Sequence, residues 1–169
     1  MPEKEAIERA REDAREGKSA STQAGEFVRE EMHHIREGKH GARSTKQAIA
    51  IGLSEARRAG VKLEPPREGK ASSQVRRKAE RDLEKGQSST WRKTSSKRSR
   101  ATSGVLKREA HSAASHSSLS RQAKRAARKR SAASRHEAAM KAVRTKGKSG
   151  LRQAAKKAAR TRSRERPAA

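Results

Sequence analysis

Arg121, Lys124, Arg125, Arg128 and Lys129 fall at the i, i+3, i+4, i+7 and i+8 positions of a helix, so one stripe carries five cations with Ala123, Ala126 and Ala127 opposite. Such a stripe suits a polyanion, because each phosphate it neutralises releases condensed counterions. The pattern recurs. Lys124 to Arg130, Met140 to Lys146 and Lys156 to Arg162 align at intervals of 16 residues, each reading base, two small residues, Arg, spacer, base. The residues expected to contact duplex DNA are therefore Arg121, Lys124, Arg125, Arg128, Lys129, Arg130, Lys141, Arg144, Lys146, Lys156, Lys157, Arg160 and Arg162. Ala and Arg favour helix while neighbouring cations oppose it, so the units are expected to pass from coil to helix on DNA; a solvated tail that stays disordered is the alternative. Each unit would span roughly 24 Å if fully helical. Ser118, Ser134 and Ser149 are the expected caps, with Gly147 and Gly150 breaking the second unit from the third.

A second candidate site is the turn Arg36 to Lys46. Two glycines there allow close approach of the backbone, four bases surround it, and the next helix would aim free N–H groups at a phosphate. Lys39, Arg43, Ser44, Thr45 and Lys46 are its expected contacts, against the plainer reading of a solvated connector with a helix cap. The segment is not a Walker loop, because G-x-x-x-x-G-K-[ST] is absent. Its length also exceeds the usual turn of a helix-turn-helix.

Other chemistries find less support. His33 and His34 are adjacent and so point to different sides of a helix, and neither a Cys nor a well-spaced carboxylate completes a tetrahedral set with them and His40, so no metal ligand set is expected. Cofactors and catalytic residues are expected to be none, since no pocket-forming core stands beside the acids, serines and histidines. Single-strand binding calls for stacking aromatics, and the chain has only Phe27 and Trp91. Trp91, between Arg92 and Lys93, could stack on a base, but an incidental or packing role is the simpler expectation.

The elements that must carry these sites are helical. Pro2 to Arg15 reads as a short charged helix with a thin apolar face, Ala6, Ile7, Ala10 and Ala14, and a Glu5–Arg9 pair; it is expected to fray without a partner. Ala24, Phe27, Val28, Met32 and Ile35 repeat at three- and four-residue steps toward Gly38. Ser44-Thr45-Lys46-Gln47 matches an S-x-x-Q capping box, followed by Ala48, Ile49, Ile51, Leu53 and Ala56 up to Gly60. These two helices predict a hairpin over 21–63, covered by Val61 and Leu63. A third helix over 73–85, with Val75, Ala79 and Leu83, or a second copy of the chain, would support it. The expected organisation is a charged N-terminal helix (1–20), a helical head (21–86), a Ser-rich basic linker (87–103) and a basic tail (104–169).

Charge follows this division. From Gln87 onward there are 25 Lys and Arg against three acids, whereas the first 86 residues hold 20 bases and 16 acids, for a net charge of +26. Large apolar side chains are sparse after Gln87, so the tail is expected to be largely disordered when free. No Cys is present, which removes disulfides and thiolate metal sites. No run approaches the roughly 20 apolar residues of a membrane span, and none of the tail's mainly Ala faces suits a lipid surface.

Gly25 to Glu31 and Gly38 to Gly60 resemble a small family of uncharacterised bacterial proteins, a domain of unknown function loosely labelled DNA-binding or plasmid-stabilisation. The tail is similar in composition to the Lys/Ala-rich ends of linker histones and bacterial histone-like proteins. The resemblance implies a bacterial source and supplies no activity. The expected protein is all-α, a helical hairpin or three-helix head with a conditionally helical basic tail. Its expected role is nonenzymatic: histone-like binding of duplex DNA in the cytoplasmic nucleoid, without sequence preference and with the head as a potential homo-oligomer contact. An RNA or ribosome partner and a plasmid-maintenance interaction module are the alternatives.

Overall fold

A computed structural model describes residues 3–88 and 95–165, and side chains to residue 163. The described residues form helices α1 (Lys4–Arg15), α2 (Ala20–Arg36), α3 (Thr45–Arg58), α4 (Ser73–Gln87), α5 (Ser96–Lys107), α6 (His116–Arg128) and α7 (Ala132–Glu165), with a 3-10 turn at His111–Ala114. No strand occurs among them, as the all-α expectation requires. The chain divides into two compact units, Met1–Gln122 and Ala123–Ala169.

In the first unit, α2 is the central helix and packs against α1 and α3, with α4 on the far side of α3. Its apolar stripe serves two clusters. Ala24 and Phe27 join Ala6 and Ala10 of α1, Ala56 of α3 and Val61, while Met32 and Ile35 join Ala42, Ala48, Ala113 and Ala114. The expected hairpin is present, and its ends follow from local chemistry. At the end of α2, Gly38 adopts φ 77°, which lets its own N–H reach the Ile35 carbonyl (3.2 Å) and the Lys39 N–H reach that of His34 (3.0 Å). Gly60 ends α3 in the same way, and the following Val61 folds back into the core. At the start of α3, Ser44 accepts from the Gln47 N–H (3.2 Å), the first half of the expected capping box, while the Gln47 side chain reaches one residue further back and accepts from the Arg43 N–H (2.9 Å) instead of that of Ser44.

Close approach replaces side-chain bulk where α2 crosses α3. A Cβ on Gly52 would stand 2.7 Å from Val28 Cα and 3.0 Å from the Phe27 carbonyl oxygen, so only glycine permits this crossing. The same economy docks α1. Its small Ala6 and Ala10 are fully or nearly buried, and Arg9 bonds Glu26 of α2 at 2.8 Å as well as Glu5. The expected frayed helix is instead part of the core, because alanines let two backbones approach and bury what little apolar surface each has.

Two further expectations are corrected. The segment 104–119, read as free tail, folds against the head: Ala113 and Ala114 are buried and Leu119 packs beside them. Nor is the basic tail disordered. α5 starts inside the expected Ser-rich linker, and α6 and α7 carry the expected DNA-contacting residues on regular helix. Counting large apolar groups measures tertiary burial; a helix of Ala, Arg, Lys and Gln satisfies its backbone locally and needs none.

Candidate nucleic-acid interface

The helical units begin on residues spaced as the charge repeat is spaced. Ser115 accepts from the Ser118 N–H (3.2 Å) to cap α6, and Ser131 accepts from the Ser134 N–H (3.1 Å) to cap α7. The caps thus lie three residues before Ser118 and Ser134, which serve as the donors. Sixteen residues after Ser131 comes Gly147, where φ 64° and ψ 177° interrupt α7. Ser149 lies beyond that break, inside the last helical stretch. The period seen in charge is therefore also a period of helix starts. Thr145 and Thr161, again 16 apart, each donate to the carbonyl four residues earlier, Lys141 and Lys157.

These breaks matter for the cations. At 100° per residue, 16 residues of unbroken helix would rotate equivalent stripes by about 160°, nearly to opposite faces. Interruptions at Ser131 and Gly147 release that phase, so each unit can present its own stripe independently. Arg121, Lys124, Arg125 and Arg128 lie on α6; Lys129 and Arg130 follow its last turn; Lys141, Arg144 and Lys146 precede Gly147; Lys156, Lys157, Arg160 and Arg162 follow it. All are exposed. From Ala123 to the end there are 17 Lys and Arg against two Glu, and no ion pair is formed by the described side chains there, so this positive charge faces solvent uncompensated. Trp91 lies outside the described residues.

The turn between α2 and α3 is a different environment. Gly41 donates its N–H to the Leu106 carbonyl (2.9 Å) and Ala42 to that of Ala110 (3.1 Å). Thr45 is buried and its hydroxyl donates to the Ala113 carbonyl (2.6 Å), while Arg36 donates to that of Ala114 (2.9 Å). What approaches the two glycines is thus the chain's own 106–114 segment. Among the five expected phosphate contacts, Lys39 is paired with Glu3 (2.9 Å) and Glu37 (3.2 Å), Ser44 is the cap, and Thr45 is turned inward. Arg43 and Lys46 remain exposed.

Beneath this turn lie groups whose proximity the sequence did not disclose. Glu30 and Glu31 of α2 are buried, and His34, His40 and Glu3 surround them. Burial, with Glu55 nearby, pushes the Glu31 carboxyl up to about 7. Burial raises Glu55 as well. Glu3, by contrast, is lowered by its hydrogen bonds from Lys39 and His34. Adjacent acids on an amphipathic helix read as a solvated face; only the docking of α1 and the return of the turn enclose them. Arg57 is similarly hidden: it is buried and clamps the chain after α3 by donating to Leu63 (3.0 Å) and Glu64 (3.3 Å) carbonyls.

Fold and surface together describe an all-helical protein with a packed, charge-rich head and a separate series of cationic helices. Residues 15–68 match the model of a family of unknown function, DUF6496. The match covers α2, the turn and α3, and ends before α4. It brings no activity with it, so neither a DNA-binding nor a plasmid-stabilisation label rests on it. No curated protein and no solved structure matches the chain. No described helix is long and apolar enough to cross a membrane.

Proposed function

We propose that this chain is a nonenzymatic, nucleoid-associated protein that binds duplex DNA without sequence preference through α6 and α7. The carrying observation is the coincidence of the 16-residue charge repeat with helix starts at Ser115, Ser131 and Gly147, which yields separate, exposed, uncompensated cationic helices. An extended polyanion fits that arrangement better than a compact one, since successive helices can each meet a different stretch of backbone phosphate. Base reading is not part of the proposal, because contacts to backbone phosphate carry no sequence information.

The test is duplex binding by the full chain across a salt series. If about 10 phosphates are engaged, log K against log salt should fall with a slope near −9, and scrambled duplexes should bind equally. A flat salt response would refute the proposal. Competition with structured RNA distinguishes the closest rival, because a preference for RNA at equal charge would assign the tail to an A-form partner.

A further inference from the structure

α2 sets Glu30 and Glu31 four and three residues before His34, so both carboxylates neighbour the same imidazole. The reversal at Gly38 then returns His40 to the helix, with its Nε2 3.5 Å from Glu31 Oε2. From α1, Glu3 Oε1 lies 2.9 Å from His34 Nε2, and its backbone N–H donates to Glu30 Oε1 at 2.6 Å. His34 Nε2 stands 3.8 Å from Glu30 Oε1, and the two imidazoles meet edge to face with centroids 6.1 Å apart. Glu31, His34 and His40 each offer a ligand atom within 4.8 Å of the others, as do Glu3, Glu30 and His34.

Ligand atoms at about 2.0 to 2.1 Å from a tetrahedral ion are about 3.3 Å from one another. The His40 Nε2 to Glu31 Oε2 separation of 3.5 Å is close to that value, and His34 offers its ligand atom within 4.8 Å of both, so small side-chain rotations would close the set. A separate observation points the same way. Glu30 Oε2 and Glu31 Oε1 are buried with no hydrogen-bond partner among the described residues, on side chains only 5% and 2% exposed. A buried carboxylate oxygen left unpaired is costly, and a cation is the group that satisfies several at once.

We propose that Glu31, His34 and His40 form a binding site for a zinc-like divalent ion, with a water molecule as the fourth ligand. Two imidazoles and one carboxylate suit Zn²⁺, whereas Mg²⁺ and Ca²⁺ favour all-oxygen shells of six or more. The ion would fasten the His40 turn to α2 at the place where α1 docks, a structural role independent of the nucleic-acid reading.

The experiment uses the full chain, stripped of metal and nucleic acid, titrated calorimetrically with Zn²⁺ alone. One equivalent should bind and raise the melting temperature, Mg²⁺ should do neither, and Co²⁺ should give the visible absorption of a four-coordinate site. Glu31→Gln keeps the side-chain shape and removes a buried charge; it and His40→Ala should each weaken Zn²⁺ binding at least about tenfold, taking ligand loss as no milder than loss of a supporting contact. His33→Ala, altering an exposed residue, should leave it unchanged. Far-ultraviolet circular dichroism checks that each variant is folded. Absence of wild-type binding, equal stabilisation by Mg²⁺, or unchanged affinity in folded Glu31→Gln and His40→Ala chains would overturn the proposal.

Discussion

Between Met1 and Gln122, helices are held by contacts far apart in sequence, among them Thr45 on Ala113, 68 residues away, and Gly52 against the backbone of Val28. From Ala123 onward the described side chains are nearly all exposed, and the hydrogen bonds join residues three or four apart. Helix is therefore reached by two routes. In the head, a small amount of apolar surface is made sufficient by alanine and glycine, which let backbones meet. In the tail, helix formers and serine caps suffice, and the side chains stay available to solvent or to a partner. The difference separates stability from binding: changes in one unit should leave the other's property nearly intact.

Removing residues 123–169 is the strongest test of that separation. Duplex affinity near 0.1 M salt should fall on the order of 100-fold or more, with the head's thermal transition unmoved, because the proposed phosphate contacts other than Arg121 lie beyond the cut. Fluorescence anisotropy and calorimetry on the same samples would show it. Cutting at Gln87 instead should also destabilise the head, since Ala113 and Ala114 would go with the tail.

Within the head, Gly52→Ala forces a methyl group into the 2.7 Å contact with Val28 Cα and should cost about 2 to 3 kcal/mol in urea unfolding, leaving the salt dependence of DNA binding unchanged. Thr45→Val should cost less, about 1 to 2 kcal/mol, because it leaves the Ala113 carbonyl without its buried 2.6 Å donor. Both are read from denaturant midpoints.

The smallest effect is expected at the tail's own break. Gly147 occupies φ 64°, ψ 177°, a conformation that alanine disfavours, while alanine gains about 1 kcal/mol over glycine within a helix. Gly147→Ala should make α7 continuous, raising helicity slightly by circular dichroism and rotating the third stripe against the second. DNA affinity should change by less than about threefold, a shift of no more than about 0.7 kcal/mol. A larger loss would show that the break is required for the helices to follow one duplex.

Much of this organisation was legible in the residues. The step pattern from Ala24 to Ile35, the Ser44 cap on the Gln47 N–H and the stops at Gly38 and Gly60 depend on neighbours within one turn, so sequence carries them directly. The repeat at 16 residues was legible for the same reason, although the serines it points to, Ser118 and Ser134, donate to the caps Ser115 and Ser131. Ala113 and Ala114 were not legible as core, because alanine pairs recur throughout the tail and nothing local distinguishes the pair that meets Met32 and Ile35. Glu30 and Glu31 likewise look like any solvated acidic pair until α1 and His40 arrive.

By itself, the sequence determined where α2 and α3 start and stop and where the charge lies, because caps, propensities and ionisation are properties of short stretches. Only the tertiary structure decided which small residues are buried, that the 106–114 segment fills the Gly38–Lys46 turn, and that Glu31, His34 and His40 lie together. Those outcomes depend on how closely backbones approach across long separations, and that distance is set by packing.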